Sequence, residues 1–152
     1  MLLFLKNLLF TIVVPGTVAV YVPLFAFAHD LPRLSLTVLA GGMLLTMGGA
    51  VYLWCVWDFA TAGRGTPAPI DPPKNLVVRG LYKHTRNPMY VGIVGLIFGW
   101  AASFSSTQIA IYGLVVGVLF HLRVVLFEEP HLTREFGPSY EDYCAHVSRW
   151  LP

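Results

Sequence analysis

Two long stretches without a charged side chain constrain this chain more than any other feature. One runs from Leu34 to Trp57 and the other from Asn87 to Leu122. A transmembrane helix needs roughly 20 mostly apolar residues, so the first stretch suits one crossing and the second is too long for one. Only 12% of the residues are charged, whereas soluble domains carry about 25%. The sequence therefore predicts one all-α domain, residues 1–152, folded as an integral membrane helical bundle.

Four membrane spans are expected, at about 8–28, 34–57, 89–102 and 109–127. The polar stretch SFSSTQ divides the second uncharged run into the last two spans. The third span is short for a bilayer, which indicates a thin or protein-buried crossing. Although Ala26-Phe27-Ala28 resembles a signal-peptidase site, the apolar run before it is longer than the roughly 7–15 residues of a signal peptide. A retained first span is therefore expected.

The distribution of basic residues predicts the orientation. The loop between the second and third spans contains five of them: Arg64, Lys74, Arg79, Lys83 and Arg86. The SFSSTQ turn contains none. Because cytoplasmic loops carry an excess of lysine and arginine, the loop and both termini are expected in the cytoplasm. The basic residues lie at segment ends rather than along one stripe, which argues against a nucleic-acid partner.

Beyond Glu128 the sequence predicts an amphipathic C-terminal helix. Apolar residues recur three or four apart there, and Gly137-Pro138 interrupts the pattern. The proline- and glycine-rich loop before the third span has an apolar segment, NLVVRGLY. That composition favours an ordered lid over a disordered linker.

The other motifs in the sequence do not indicate a specific active site. Cys55 and Cys144 lack the spacing of a disulfide framework or a zinc site, so both are expected to fill space and no metal is expected. GxGxxG after a strand, HExxH and P-loop motifs are absent from the sequence. The pairs Gly41-Gly42 and Gly48-Gly49 lie seven residues apart, which predicts a flat helix face for close packing.

Arg86, Glu128 and Glu129 lie at the expected membrane edge, where ionisable side chains are functional candidates. Each also has a simpler explanation, as a snorkelling anchor for Arg86 or as a solvated helix end for the glutamates. If their helices are neighbours, a cleft would offer a guanidinium for a carboxylate and carboxylates for an ammonium. Tyr82 and Tyr90 would face a cation. S-adenosylmethionine, with an ammonium, a carboxylate and a sulfonium, fits these requirements.

Two sequence blocks resemble the isoprenylcysteine carboxyl methyltransferase family and its phospholipid methyltransferase relatives. They are RGLYKHTRNPMYVG and EEPHLTREFGPSYEDYCAHVSRWLP, which together cover the chain from about Arg79. The resemblance implies an S-adenosylmethionine-dependent membrane methyltransferase acting at the cytoplasmic face on a lipid or prenylated acceptor. It implies that residues 79–152 enclose the cofactor.

The resemblance also implies roles for individual residues. It implies cofactor contacts at five positions: Tyr82, Asn87, Pro88, Tyr90 and Glu129. It implies an acceptor-orienting or catalytic role for Arg86, and it implies that Tyr140, Tyr143 and Arg149 frame the tail side of the cleft and contact the substrate. If the methyl acceptor is an amine, either Glu128 or Glu129 is a candidate for accepting its proton, and Glu128 is taken as the catalytic residue, whereas a carboxylate acceptor needs no base.

Two other functions stay open at this point. Membrane reductases of the sterol-reductase type share a similar C-terminal architecture but bind NADPH. A non-catalytic membrane scaffold is the other alternative. Binding of S-adenosylhomocysteine or of NADPH would separate the three.

Overall fold

The computed structural model describes residues 2–28, 35–63 and 75–150, and these form a helical bundle. The helices are α1 (Leu2–Gly16), α2 (Leu36–Asp58), α3 (Pro88–Phe104), α4 (Thr107–Arg123), α5 (Glu129–Phe136) and α6 (Pro138–His146). Between them lie π-helical segments at Thr17–Tyr21, Pro23–Phe27, Phe59–Gly63 and Val124–Glu128, and a 3₁₀ turn at Gly80–Lys83. These residues contain no strand, and the predicted all-α fold is confirmed. Arg64 and Lys74, used above for orientation, lie outside the described residues.

Three helical stretches are long and apolar enough to cross a membrane: Leu5–Phe27, Leu36–Gly63 and Thr107–Phe136. The third span expected from the sequence is α3, which is apolar but shorter. At 1.5 Å per residue it is about 26 Å long, slightly less than the bilayer's hydrocarbon core. It packs against both α2 and α4, and Ile93, Ile97 and Ala101 on it are buried. Neighbouring helices therefore shield the short helix.

Glycines allow α2 and α3 to approach closely. A Cβ added to Gly48 would lie 2.7 Å from the carbonyl oxygen of Gly92, and one added to Gly41 would lie 2.6 Å from that of Gly99. Both positions therefore require the absence of a side chain. A Cβ on Gly42, by contrast, would meet nothing within 4 Å. The predicted flat face thus exists, and the first glycine of each pair forms it.

Local sequence explains how the α3–α4 hairpin turns. Ser105 adopts the left-handed conformation with φ 47°, and the Ser106 hydroxyl accepts a hydrogen bond from the backbone N–H of Ile109 at 3.3 Å, which begins α4. The polar turn predicted from SFSSTQ is therefore observed. Because α2, α3 and α4 run alternately up and down, the end of α2, the start of α3 and the end of α4 lie at the opposite end of the bundle.

Two tyrosines attach the N-terminal segment to this bundle. Tyr52 on α2 shares a hydrogen bond of 2.9 Å with Thr11, and the Tyr112 hydroxyl on α4 donates to the carbonyl oxygen of Val18 at 2.9 Å. At the other end of the chain, Gly137 has φ +51° and separates α5 from α6. Glycine adopts this conformation without a Cβ penalty, so the predicted interruption of the tail is found at that residue.

Candidate functional site

The C-terminal tail is hydrogen-bonded to the segment that precedes α3. The backbone N–H of Arg86 donates to the carbonyl oxygen of Ser148 at 2.9 Å. The carbonyl oxygen of Arg149 accepts from the Thr85 hydroxyl at 3.2 Å and from the Asn87 side-chain amide at 3.0 Å. These bonds bring the two sequence blocks, whose bonded residues lie about 60 residues apart in the chain, into direct contact.

One carboxylate, Glu129, is shared by two guanidinium groups. Arg149 binds it at two points, with Nε 2.7 Å from Oε1 and Nη2 3.0 Å from Oε2. Arg86 Nη1 lies 3.1 Å from Oε1 and also contacts the sulfur of Cys144. We call Arg86, Glu129, Cys144 and Arg149 the Glu129 cluster. It carries two positive charges and one negative charge.

Burial makes this cluster stronger than a surface ion pair. The side chains of Arg86 and Glu129 are only 12% and 18% exposed, so solvent screens their attraction weakly. The hydrogen bonds from Arg149 to Glu129 raise the pKa of Arg149. Arg86 Nε is buried and has no hydrogen-bond acceptor in the part of the chain that the structure describes. A buried N–H without a partner costs about 1–3 kcal/mol, so this donor is suited to an incoming acceptor.

A second cluster surrounds Glu128, one residue earlier. Arg123 Nε donates to Glu128 Oε1 at 2.8 Å and to the Tyr90 hydroxyl at 3.2 Å. The Tyr90 hydroxyl in turn donates to Glu128. The π-helical segment Val124–Glu128 leads directly into α5, and the two neighbouring glutamates bind different partners. Glu128 and Glu129 therefore occupy distinct environments.

A pair of tyrosines connects the tail to the turn before α3. The Tyr143 hydroxyl donates to the carbonyl oxygen of Tyr82 at 2.6 Å, and burial raises the pKa of Tyr143 to about 12. Burial likewise raises the pKa of Tyr82 and of Tyr140, and the neighbouring Cys144 raises that of Tyr140 further. These hydroxyls are consequently neutral donors or acceptors near neutral pH.

Most of the residues predicted from the sequence lie in or beside the two clusters. Arg86, Glu129 and Arg149 meet in the Glu129 cluster. Asn87 reaches its edge through the Arg149 carbonyl oxygen. Glu128 and Tyr90 form the second cluster, and Tyr140 lies near the first, since its pKa responds to both Glu129 and Arg86.

Tyr82 and Pro88 lie in the packed interior rather than in either cluster. The Tyr82 side chain is buried and hydrogen-bonds with Cys55, while its backbone oxygen faces Tyr143. Pro88 is fully buried at the first position of α3, where proline suits a helix start.

The sequence interpretation missed two participants. Cys144 was expected to fill space, but it contacts Arg86. Its spacing of four residues from Tyr140 on α6 is a signal that would have placed both on one face. Arg123 was not singled out from the sequence, and it binds Glu128. Cys55, in contrast, is fully buried as expected.

Comparison with family models places these clusters in a known context. The model of the phospholipid methyltransferase family matches residues 36–139. The chain belongs to the phospholipid methyltransferase family. The match includes Arg86, Glu128 and Glu129, and it ends just before Tyr140. A comparison with curated proteins finds no match.

Family membership and fold together give a coarse function. The family is one of methyltransferases, and three helical stretches of this member are able to span a bilayer. The protein is therefore an integral membrane methyltransferase. Within the described residues, no group of three or more histidine, cysteine, aspartate or glutamate side chains is arranged to hold a metal ion.

Proposed function

We propose that the protein transfers a methyl group from S-adenosylmethionine to a lipid or prenylated acceptor, and that Glu129 and Arg149 of the Glu129 cluster hold the amino-acid part of the cofactor. One observation carries this proposal: a weakly exposed carboxylate and two guanidinium groups meet at one end of a membrane bundle. Such a group of charges complements an ammonium and a carboxylate attached to the same carbon.

The chemistry of the residues fits the cofactor. Glu129 supplies an acceptor for an ammonium, and Arg149 supplies a planar fork for a carboxylate. Arg86 Nε, a buried donor that lacks a hydrogen-bond acceptor among the described residues, is left for the methyl acceptor. When bound, S-adenosylmethionine supplies a methyl group on a positively charged sulfur. Glu129 is paired with both arginines, so the ammonium shares this carboxylate with them.

The remaining candidate residues then have separate roles. Arg86 orients the acceptor, because its guanidinium can donate to two oxygens at once. Glu128 accepts a proton when the acceptor is an amine, and its hydrogen bonds from Tyr90 and Arg123 hold the carboxylate in position. Asn87 and Tyr90 line the cofactor side, where the buried Tyr82 and Pro88 hold the start of α3 in place, and Tyr140 and Tyr143 line the acceptor side.

Methyl transfer itself requires mainly alignment and the exclusion of water. Residues 79–150 are suited to both tasks, because the tail is attached to the segment before α3 by the backbone hydrogen bond from Arg86 to Ser148. The phospholipid methyltransferase family supports a lipid acceptor. We place the active site, and both termini, on the cytoplasmic side, since the loop before α3 is basic and the α3–α4 turn has no lysine or arginine.

The deciding experiment is a titration of the purified protein with S-adenosylhomocysteine and, separately, with NADPH. Binding of the first alone supports the proposal. Binding of NADPH alone would indicate a reductase, and binding of neither would indicate a scaffold. Transfer of a tritiated methyl group into total lipid and into prenyl-peptide fractions would then identify the acceptor class.

A further inference from the structure

A hydrogen bond joins the end of the tail to α4, and the proposed chemistry does not use it. The indole Nε1 of Trp150 donates to His121 Nδ1 at 3.1 Å, and the two ring centroids lie 6.1 Å apart. We propose that His121 is a positioning residue: its neutral ring holds Trp150, and thereby the neighbouring Arg149, in the geometry that binds the cofactor, and protonation of the ring releases them. The inference deepens the proposed function and rests on it for the role of Arg149.

The chemistry of the two rings fixes the protonation state of His121 in this contact. An indole nitrogen donates a hydrogen bond and does not accept one, so Nδ1 of the histidine is the acceptor. The ring is therefore neutral, with its proton on Nε2. In a protonated ring both nitrogens carry hydrogen and neither can accept. The contact thus exists only with the neutral form, and histidine is the side chain whose charge ordinarily changes between about pH 5 and 8.

Arg149 connects this contact to the Glu129 cluster. It directly precedes Trp150, and its guanidinium binds Glu129 at two points. Its carbonyl oxygen accepts from Thr85 and Asn87, so the segment before α3 holds the main chain at this residue. The bond to α4 holds the next residue. Loss of that bond removes the attachment that follows Arg149 in the chain, so its fork is less firmly oriented.

The charges near the end of α4 favour release once the ring is protonated. The two clusters together carry three arginines and two glutamates: Arg86, Arg123, Arg149, Glu128 and Glu129. Of the other elements packed against α4, α3 contributes Tyr90, which donates to Glu128, and Pro23–Phe27 contributes no titratable side chain. A protonated His121 would add to the surplus of positive charge. Repulsion therefore acts in the same direction as the lost hydrogen bond.

Acid should consequently weaken cofactor binding. The attached tail requires the neutral ring, so attachment is complete at the upper end of the histidine range and declines as pH falls. Calorimetry on the full chain in detergent micelles, with S-adenosylhomocysteine as the probe, is carried out at about pH 8 and about pH 5, the limits of that range. Because variants are compared at the same pH, ionisation of the ligand and of the glutamates cancels.

His121→Asn is the deciding variant. The asparagine oxygen can take the place of Nδ1 as the acceptor for Trp150, and it does not titrate in this range. The variant should bind as wild type at the higher pH and about 2- to 10-fold more tightly than wild type at the lower pH, the change expected for one hydrogen bond. His146→Asn is the matched control, because this histidine lies on α6 with its side chain 73% exposed. It should follow wild type at both pH values.

Trp150→Phe gives a second test, since it removes the indole N–H and keeps an aromatic ring. Its affinity should already be reduced at the higher pH, and it should fall no further on acidification than that of His121→Asn. If His121→Asn loses as much affinity in acid as wild type does, the proposal is overturned.

A measurement without the cofactor separates this inference from the proposed function. The backbone N–H of Arg86 donates to Ser148, so its hydrogen–deuterium exchange reports attachment of the tail. Exchange should be faster in wild type than in His121→Asn at the lower pH and equal at the higher pH. If S-adenosylhomocysteine binds at neither pH, the proposed function fails and exchange alone decides. A difference confined to acid then supports attachment through His121, and equal exchange overturns it.

Discussion

Arg149 and Glu129 form a two-point ion pair, with Nε 2.7 Å from Oε1 and Nη2 3.0 Å from Oε2. Glu129 begins α5 and Arg149 follows α6, so the pair joins the start of the first tail helix to the segment after the second. Arg86 joins the same carboxylate from the start of α3. The Glu129 side chain thus links both ends of the tail to each other and to the start of α3.

Substitution of Glu129 tests the proposed cofactor contact. Glu129→Gln keeps the shape and removes the charge, so it should weaken S-adenosylhomocysteine binding about 10- to 150-fold, the range for one charge-assisted hydrogen bond. Calorimetry measures the loss. Glu135→Gln, at an exposed position on α5, is the control and should leave affinity unchanged. Wild-type affinity in Glu129→Gln would mean that the cofactor is bound elsewhere.

Substitution of Arg86 separates the two substrates. Arg86→Lys keeps the charge near Glu129 but loses the planar fork. If Arg86 orients the acceptor, S-adenosylhomocysteine affinity should change little while turnover in a methyl-transfer assay falls at least about tenfold. An equal loss of affinity in Arg86→Lys and Glu129→Gln would instead assign Arg86 to the cofactor.

Two adjacent glycines on α2 provide a matched test of packing. Gly48→Ala should destabilise the protein by about 1–3 kcal/mol, the range for overpacking, because its Cβ would lie 2.7 Å from the Gly92 carbonyl oxygen. Gly49→Ala meets its nearest atom at 4.0 Å and should be neutral or slightly stabilising, since alanine favours the helix. Unfolding in SDS, followed by circular dichroism, measures both. Equal effects would contradict the α2–α3 contact.

The membrane orientation is testable by cysteine accessibility. In a background with Cys55 and Cys144 replaced by alanine, a cysteine at position 105 should react with an impermeant maleimide on intact cells. A cysteine at position 139 should react only after the membrane is opened. Reaction of both from the same side would contradict the topology expected from the loop charges.

Alkaline pH should loosen the tail. Burial holds the pKa of Tyr143 at about 12 and raises those of Tyr82 and Tyr140, whereas unfolded tyrosine titrates near about 10. The unfolded chain therefore loses these protons first, so stability is full below about pH 10 and declines as pH rises toward 12. Melting temperature against pH measures this decline. Tyr143→Phe should make it shallower, and an unchanged slope would show that Tyr143 does not contribute.

Much of the fold was predictable because the membrane limits the choices. Backbone groups in hydrocarbon must be satisfied internally, so long uncharged runs become helices. The turn at Ser105 and the break at Gly137 were predictable because local sequence produces them. A serine caps the start of α4, and glycine readily adopts the positive φ that separates α5 from α6. The π-helical segments were not predicted, because hydrophobic periodicity does not distinguish a π turn from an α turn.

The candidate site was less predictable from the sequence. Arg86 and Glu129 were identifiable by their charge beside apolar runs, but the partner of each depends on tertiary packing. The two-point contact of Arg149 and the contact of Cys144 with Arg86 both require the tail to fold back by way of Gly137. The Asp58–Arg79 pair joins residues on either side of a long loop, and no spacing rule connects them.

The hydrogen bond from the Arg86 backbone to Ser148 also has a consequence for biosynthesis. The apolar helices leave the ribosome and can enter the bilayer before Ser148 and Arg149 have been added, because chains emerge from their N-terminus first. Until Ser148 and Arg149 have been added, Arg86 and Glu129 lack these two partners. A premature stop codon just before Ser148 would therefore yield a protein that inserts into the membrane but never completes the Glu129 cluster.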